Sequence, residues 1–280
     1  MKKVVFAWIL SLVLVLSVVG VAGAVTDGEL DGNGHPQVVL ILMEVDGEPA
    51  YRCSGTMLTP YYVLTAGHCA GAPGEFSGIR IFTESDVQGG IGTTNNYPYG
   101  GGDYSVEAVR WAAHPDYPDY PFYFNDVGMI ELDEPGFDPG VFGTLPAVDS
   151  LDQYKTRRGH NDLYFTSVGY GLQLIVDNPV WGPIHYQGDR TRYFANPHLI
   201  QINTPGFTGD FSLLLSNNHS TGGTCFGDSG GPNFLRDTNI VAGVTSFGLN
   251  GNCAGTGGVF RMDRQNVQDF VNDFMANGSH

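Results

Sequence analysis

What this chain can fold into is constrained most by its punctuation. Glycine (40 residues) and proline (16 residues) recur along it. Between them lie short apolar runs: Val38–Val45, Met57–Leu64, Gly78–Phe82, Val127–Leu132, Leu163–Val168, Phe211–Leu215 and Ile240–Phe247. Runs of this length bounded by turn formers read as strands. A parallel sheet needs an amphipathic helix between successive strands, and no helical pattern alternates with these runs. The expected class is antiparallel all-β, in one large domain or two packed lobes, for which 280 residues provide enough core. One helix is predicted at the C-terminus. There Val267, Phe270, Val271 and Phe274 follow the i, i+3, i+4, i+7 spacing, with Asp263 as N-cap. Its apolar stripe is expected to dock on the β body.

The first segment stands apart from that body. Met1-Lys2-Lys3 is positive, Val4 to Val19 is almost wholly apolar, and Ala22-Gly23-Ala24 offers a small-x-small cleavage site. Residues 1–24 therefore read as a secretory signal peptide rather than a membrane span, and the mature chain starts at Val25. Cleavage removes Lys2 and Lys3 from a chain with 13 basic and 29 acidic residues. So acidic a protein argues against nucleic acid and anionic membranes as partners. Cys53, Cys69, Cys225 and Cys253 form an even set, which in an exported chain favours two disulfides. A zinc site built from all four would want paired C-x-x-C spacing, which is absent.

Residues 88–104 form a Gly/Asn/Tyr-rich surface loop, and Asp133 to Tyr154, with three prolines, reads as a connector between two halves. Asn218-His219-Ser220 is an N-glycosylation sequon, meaningful where the source glycosylates. Acidic residues are plentiful, yet no spacing specifies a calcium or other metal site.

Residues 225–232 read C-F-G-D-S-G-G-P. A serine among glycines is only a tight turn unless other residues supply a base, an orienter for that base and a site for an oxyanion. His68 ends the run Y-V-L-T-A-G-H just before Cys69, behind a buried strand. Asp126, in N-D-V-G-M-I-E-L, opens an apolar strand where a carboxylate is partly desolvated. Alone, the histidine reads as structural and the aspartate as a turn cap. Taken in order, L-T-A-G-H-C, N-D-V-G-M-I-E-L and C-F-G-D-S-G-G-P resemble the chymotrypsin/trypsin family of serine proteases. C-S-G-T-M-L from Cys53, H-P-D-Y from His114, V-G-Y-G from Val168 and G-V-T-S-F-G from Gly243 are similar to further segments of that family, so the resemblance spans nearly all of the chain beyond residue 24. G-D-S-G-G also fits the nucleophile elbow of α/β-hydrolases, but those enzymes place a histidine after the serine, and here only His280 follows.

The resemblance implies two packed six-stranded antiparallel Greek-key β-barrels, residues 25–150 and 151–262, with a C-terminal helix and tail over 263–280 and the active site in the cleft between barrels. It implies a secreted serine endopeptidase acting through an acyl-enzyme. Ser229 would be the nucleophile, His68 its base and Asp126 the holder of the imidazole, with the N–H groups of Gly227 and Ser229 as oxyanion hole. Asp228 would pair with an amine at Val25, freed here by signal peptidase itself, although V-T-D-G departs from the usual Ile-Val-Gly-Gly start. The implied disulfides are Cys53–Cys69 and Cys225–Cys253. The implied specificity pocket comprises Gly223 at its floor with Thr224, Ser246, Phe247, Gly248 and Gly258. No acid stands at Gly223, so apolar or aromatic side chains before the cut are expected over Arg or Lys. Polypeptide substrates and protein protease inhibitors are the expected partners of a monomer that needs no cofactor. The alternative is a catalytically silent homologue that binds partners through the same fold.

Overall fold

The computed structural model describes residues 25–117, 123–136, 138–155, 160–173, 175–178, 182–185, 188–202 and 209–280. The proposed leader, residues 1–24, and most of the proline-rich run Pro115 to Pro121 lie outside the described residues.

A two-residue strand β1 (Glu29–Leu30) precedes the first barrel, built from β2 (Val38–Val45), β3 (Glu48–Met57), β4 (Tyr62–Thr65), β5 (Gly78–Phe82), β6 (Ser105–Ala113) and β7 (Gly128–Leu132). These close in the order β2-β3-β4-β7-β6-β5, every pairing antiparallel. Strand β2 shows why Val38–Met43 reads as an unbroken apolar run rather than an alternating one. Val39, Ile41 and Met43 point into the barrel, while Val38, Leu40 and Leu42 point out into a second core shared with Val168, Tyr170 and Phe234. Both faces are dry, and each fully buried aliphatic contributes about 1.5–3 kcal/mol.

The second half holds β8 (His160–Gly169), the hairpin β9 (Ile175–Asn178) and β10 (Gly182–His185), then β11 (Tyr193–Ala195), β12 (His198–Ile202), β13 (Ser212–Asn217), β14 (Pro232–Leu235), β15 (Val241–Gly248) and β16 (Gly255–Arg261). The order β8-β12-β13-β16-β15-β14 closes on itself because β14 also pairs with β8, giving a second six-stranded barrel, with β11 and β1 added outside it. The helix Gln265–Ala276 then returns from the second barrel to the first. Its Phe274 meets Tyr62 edge-on, and the Arg110 guanidinium lies 3.6 Å from the Phe274 ring centre.

Three details differ from the sequence reading. Met57–Leu64 is not one strand: β3 ends at Met57, and a turn over 58–61 leads into β4. Thr59 explains the turn, since its hydroxyl accepts the N–H groups of Tyr61 and Tyr62. Asp263 does not cap the helix, whose N-cap is Arg264. The Asp263 carboxylate is buried instead, bound by Arg261 and by the Leu151 N–H. Finally, an ion pair that the sequence does not advertise pins the barrel junction. Arg192 and Asp31 are both fully buried at their side chains and meet at 2.7 Å. The remaining guanidinium donors go to the carbonyls of Val38 and Gly32 and to the Tyr170 hydroxyl, which satisfies the charge that burial would otherwise penalise.

Candidate active site

The site is assembled where the two barrels meet. His68 lies in the single helical turn Gly67–Ala70, directly after β4, and a disulfide ties the neighbouring Cys69 to Cys53 on β3. Asp126 immediately precedes the end of the loop into β7 and has no solvent exposure. Its carboxylate accepts the backbone N–H of His68 at 2.9 Å, His68 Nδ1 at 3.0 Å and the Ser246 hydroxyl at 2.5 Å. Three donors compensate the burial of its charge. The Tyr117 ring covers the same place, stacked so close to Gly67 that a Cβ there would lie 3.1 Å from it. Burial, followed by the Asp126 and Glu75 charges, pushes the Tyr117 hydroxyl well above its usual pKa. Burial would lower the His68 pKa, but the charge and hydrogen bond of Asp126 outweigh it and hold the imidazole above its ordinary 6.5. With Nδ1–H engaged by the carboxylate, Nε2 is the nitrogen left to take a proton.

The loop 225–231 is held against the first barrel by backbone geometry. Gly230 has φ +76°, and a Cβ there would strike Thr65 Oγ1 and lie 2.6 Å from the Ser54 carbonyl, so only glycine allows this approach. Ser54 is fully buried, holds the loop twice and joins it to Tyr170. Its N–H donates to the Ser229 carbonyl at 2.8 Å, its hydroxyl donates to the Gly227 carbonyl at 3.0 Å, and the same hydroxyl accepts the Tyr170 N–H at 3.0 Å. Gly227 adopts φ +97°, a conformation that strains any residue with a Cβ.

The two N–H groups of this loop expected to face an oxyanion are indeed unspent. The Phe226 carbonyl accepts the Leu172 N–H at 2.8 Å, and in a trans peptide the Gly227 N–H points the opposite way. The Asp228 carbonyl likewise accepts the Gly231 N–H at 2.8 Å, which turns the Ser229 N–H outward. Among the described residues neither N–H has a hydrogen-bond partner. Unpaired backbone donors are rare enough that two on one loop mark a place for an anion.

A cavity of about 350 Å³ brings His68, Ser229, Thr224, Ser246, Phe247 and Gly248 together, and the disulfide Cys225–Cys253 forms part of its wall. Two expected pocket residues are not on it. Gly223 forms a bridge with Thr26 and packs on Asn217, whose amide donates to the Thr224 carbonyl and accepts the Thr26 hydroxyl. Gly258 lies under the Phe247 ring, because β15 bulges between Thr245 and Phe247 and sets Phe247 opposite Gly258. The bulged residue is Ser246, which explains how its hydroxyl reaches Asp126. Ser54 was not read as a support of this loop, and Ser246 was read as pocket lining rather than as a partner of Asp126. A serine inside a strand carries no sequence signal for this, since the partners are far away in the chain.

Val25 and Asp228 are both buried but share no hydrogen bond. The Asp228 carboxylate accepts the N–H groups of Gly171 and Cys225, each at 2.8 Å. In the 280-residue chain the Val25 nitrogen belongs to a peptide bond and carries no charge. Burial raises the Asp228 carboxyl from 3.8 to about 7, against the pull of those two N–H groups and the Arg52 charge.

Comparison with known proteins matches the family model "Trypsin" over residues 30–171 and 185–271. The chain belongs to the trypsin family. Venom serine protease Bi-VSP of Bombus ignitus is 27% identical over 236 residues, covering 80% of this chain and 59% of its own length. Serine protease Hayan of Drosophila melanogaster is 24% identical over 239 residues, covering 80% of this chain and 35% of its own length. The trypsin-family chain thus spans less than two thirds of the length of either relative. The solved structure of HL collagenase superposes with a TM-score of 0.66 at 18% identity, covering 90% of this chain and 98% of that one, a likeness of fold.

Proposed function

We propose that this trypsin-family chain is an active, secreted serine endopeptidase that cleaves through an acyl-enzyme. The observation that carries the reading is the convergence on one cavity of a nucleophile, an imidazole oriented by a buried carboxylate, and two unspent N–H groups. In this reading His68 Nε2 takes the Ser229 proton as Oγ attacks the scissile carbonyl. Asp126 fixes the tautomer and stabilises the imidazolium, which then protonates the departing amine. The Gly227 and Ser229 N–H groups receive the negative oxygen, each worth on the order of 3 kcal/mol in the transition state. No resident cofactor is needed for these steps. Among the described residues no carboxylate lines the cavity, and Phe226, Phe247 and the disulfide give it an apolar wall, which favours a large apolar or aromatic side chain before the cut.

Processing completes the proposal. Thr26 is bridged to Gly223, two residues before Cys225, so the segment from Val25 is already seated beside the nucleophile loop. Cleavage before Val25 would place a cation near the buried Asp228 and make signal removal the activating step. N-terminal sequencing of the secreted active form tests this, and a start other than Val25 sinks it.

One observation favours the second reading, a silent homologue that binds polypeptides: among the described residues Ser229 Oγ makes no hydrogen bond to His68. Such contacts in ligand-free enzymes commonly tighten only around substrate. Covalent labelling by a fluorophosphonate separates the two readings, because only an activated Ser229 reacts.

A further inference from the structure

A second groove, of about 540 Å³, lies across the oxyanion loop from the nucleophile cavity, and Phe226 borders both. Gly227, Arg52, Arg190 and Tyr97 line it. A peptide whose carbonyl oxygen meets the Gly227 N–H, with the side chain before the cut in the first cavity, must carry its next residues over Gly227 toward this groove.

The groove brings together two guanidiniums that the charge pairing of the molecule leaves without a carboxylate. Arg80, Arg110, Lys155, Arg192, Arg261 and Arg264 each meet a carboxylate, at distances between 2.5 and 3.4 Å. Among the described residues Arg52, Arg190 and Arg236 meet none, although the sequence holds 29 acidic residues against 13 basic ones, and Arg236 stands alone and exposed on the turn after β14. Two guanidiniums side by side without a counter-charge repel each other. Accordingly, burial and the Arg190 charge both lower the Arg52 pKa, opposed by Tyr97 and Asp228. Arg190 donates one Nη1 bond to Gln88, while its Nε is buried with no partner. Its guanidinium lies over the Tyr97 ring at 5.3 Å, and Tyr97 is itself fixed edge-on against Phe82. The nearby Asp228 cannot neutralise the pair from the groove side, because it is fully buried with its oxygens held by Gly171 and Cys225.

We propose that Arg52 and Arg190 form a carboxylate-binding site for an acidic side chain of the substrate on the departing side of the cut. The inference rests on the hydrolytic reading above. Guanidiniums suit it, since their planar donors match a carboxylate in pairs and their rigid forks lose little freedom on binding.

The test uses quenched-fluorescence peptides identical up to the cut, with Glu, Gln or Lys at each of the first three positions beyond it. At one position the native chain should prefer Glu over Gln by on the order of tenfold in kcat/KM. High salt should shrink that ratio. Arg190→Gln and Arg52→Gln should each reduce it, and Arg190→Glu should move the preference toward Lys. Fluorophosphonate labelling reports whether each variant is folded with its nucleophile in place. Arg190, on a loop, supplies the readout if the variant at Arg52, within strand β3, misfolds. Equal cleavage of Glu and Gln peptides by a chain that labels overturns the groove alone. A native chain that fails to label overturns the hydrolytic reading. In that event calorimetric binding of the same peptides replaces cleavage, and equal affinities overturn the groove as well.

Discussion

Freeing the amine of Val25 should reverse the way stability depends on pH. The perturbation compares a chain prepared to start at Val25 with one that keeps Gly23-Ala24 ahead of it. In the extended chain the Asp228 carboxyl sits at about 7 instead of 3.8, because it is fully buried. A raised folded pKa means that the folded state holds the proton more tightly than the unfolded one. That contribution is complete below about pH 4 and is lost as pH rises through about 7. The gap between 3.8 and about 7, at about 1.4 kcal/mol per tenfold change in proton affinity, amounts to on the order of 4 kcal/mol. An ammonium at Val25 favours the ionised carboxylate instead, so the folded pKa drops and the contribution holds above the ordinary carboxylate range, fading on acidification. Urea unfolding of both chains between pH 4 and 7.5 reads the difference directly. The two stabilities should converge at the acid end and diverge by several kcal/mol at pH 7.5, with the Val25 start the more stable. Parallel curves across that range would refute the reasoning, whichever chain were the more stable.

Other outcomes follow from the same contacts. Asp126→Asn should cut kcat by about ten-thousandfold, since it removes the group that fixes the imidazole tautomer. It should also move the acid limb of the kcat/KM profile to lower pH, because Asp126 is what holds the His68 pKa above 6.5. Ser54→Ala removes the hydroxyl between Gly227 and Tyr170, and a loss of about 1–2 kcal/mol should slow Ser229 labelling roughly tenfold with little change in substrate KM. Asp31→Asn leaves Arg192 buried without a counter-charge and should cost about 3–5 kcal/mol by urea unfolding, while replacing both partners by apolar residues should cost much less. The Asp31 carboxyl is held below its ordinary value by His35 and Arg192 despite burial, so its contribution is present at neutral pH and is lost on acidification.

The parts of the fold legible in the sequence were those with both faces dry. Val38–Val45 and Gly78–Phe82 are apolar runs broken by one charge each, Glu44 and Arg80, which pair with each other, and the strands β2 and β5 match the runs end to end. β3 and β6 were missed because their exposed or half-exposed stretches, Glu48–Arg52 and Glu107–Ala113, mix charge and alanine with few apolar residues. The site divides in the same way. His68, Asp126 and Ser229 sit in distinctive local motifs, so family resemblance singles them out, and the structure brings them together. Ser54, Ser246 and the Arg192–Asp31 pair depend on residues more than a hundred positions away, and no local pattern announces them. Gly223 and Gly258 lie off the cavity lining for a related reason. A single bulge in β15, invisible in G-V-T-S-F-G, decides which face Phe247 covers.

Stoichiometric reaction of Ser229 with a fluorophosphonate is the most direct test of the account. The folded chain starting at Val25, with both disulfides formed, is incubated with the reagent while peptide hydrolysis is followed, and the modified residue is located by mass spectrometry. The account predicts one equivalent bound, on Ser229, in step with loss of hydrolysis and at a rate that rises with pH as His68 gives up its proton. A correctly folded chain that stays unlabelled, or that labels elsewhere while hydrolysis continues, would contradict it.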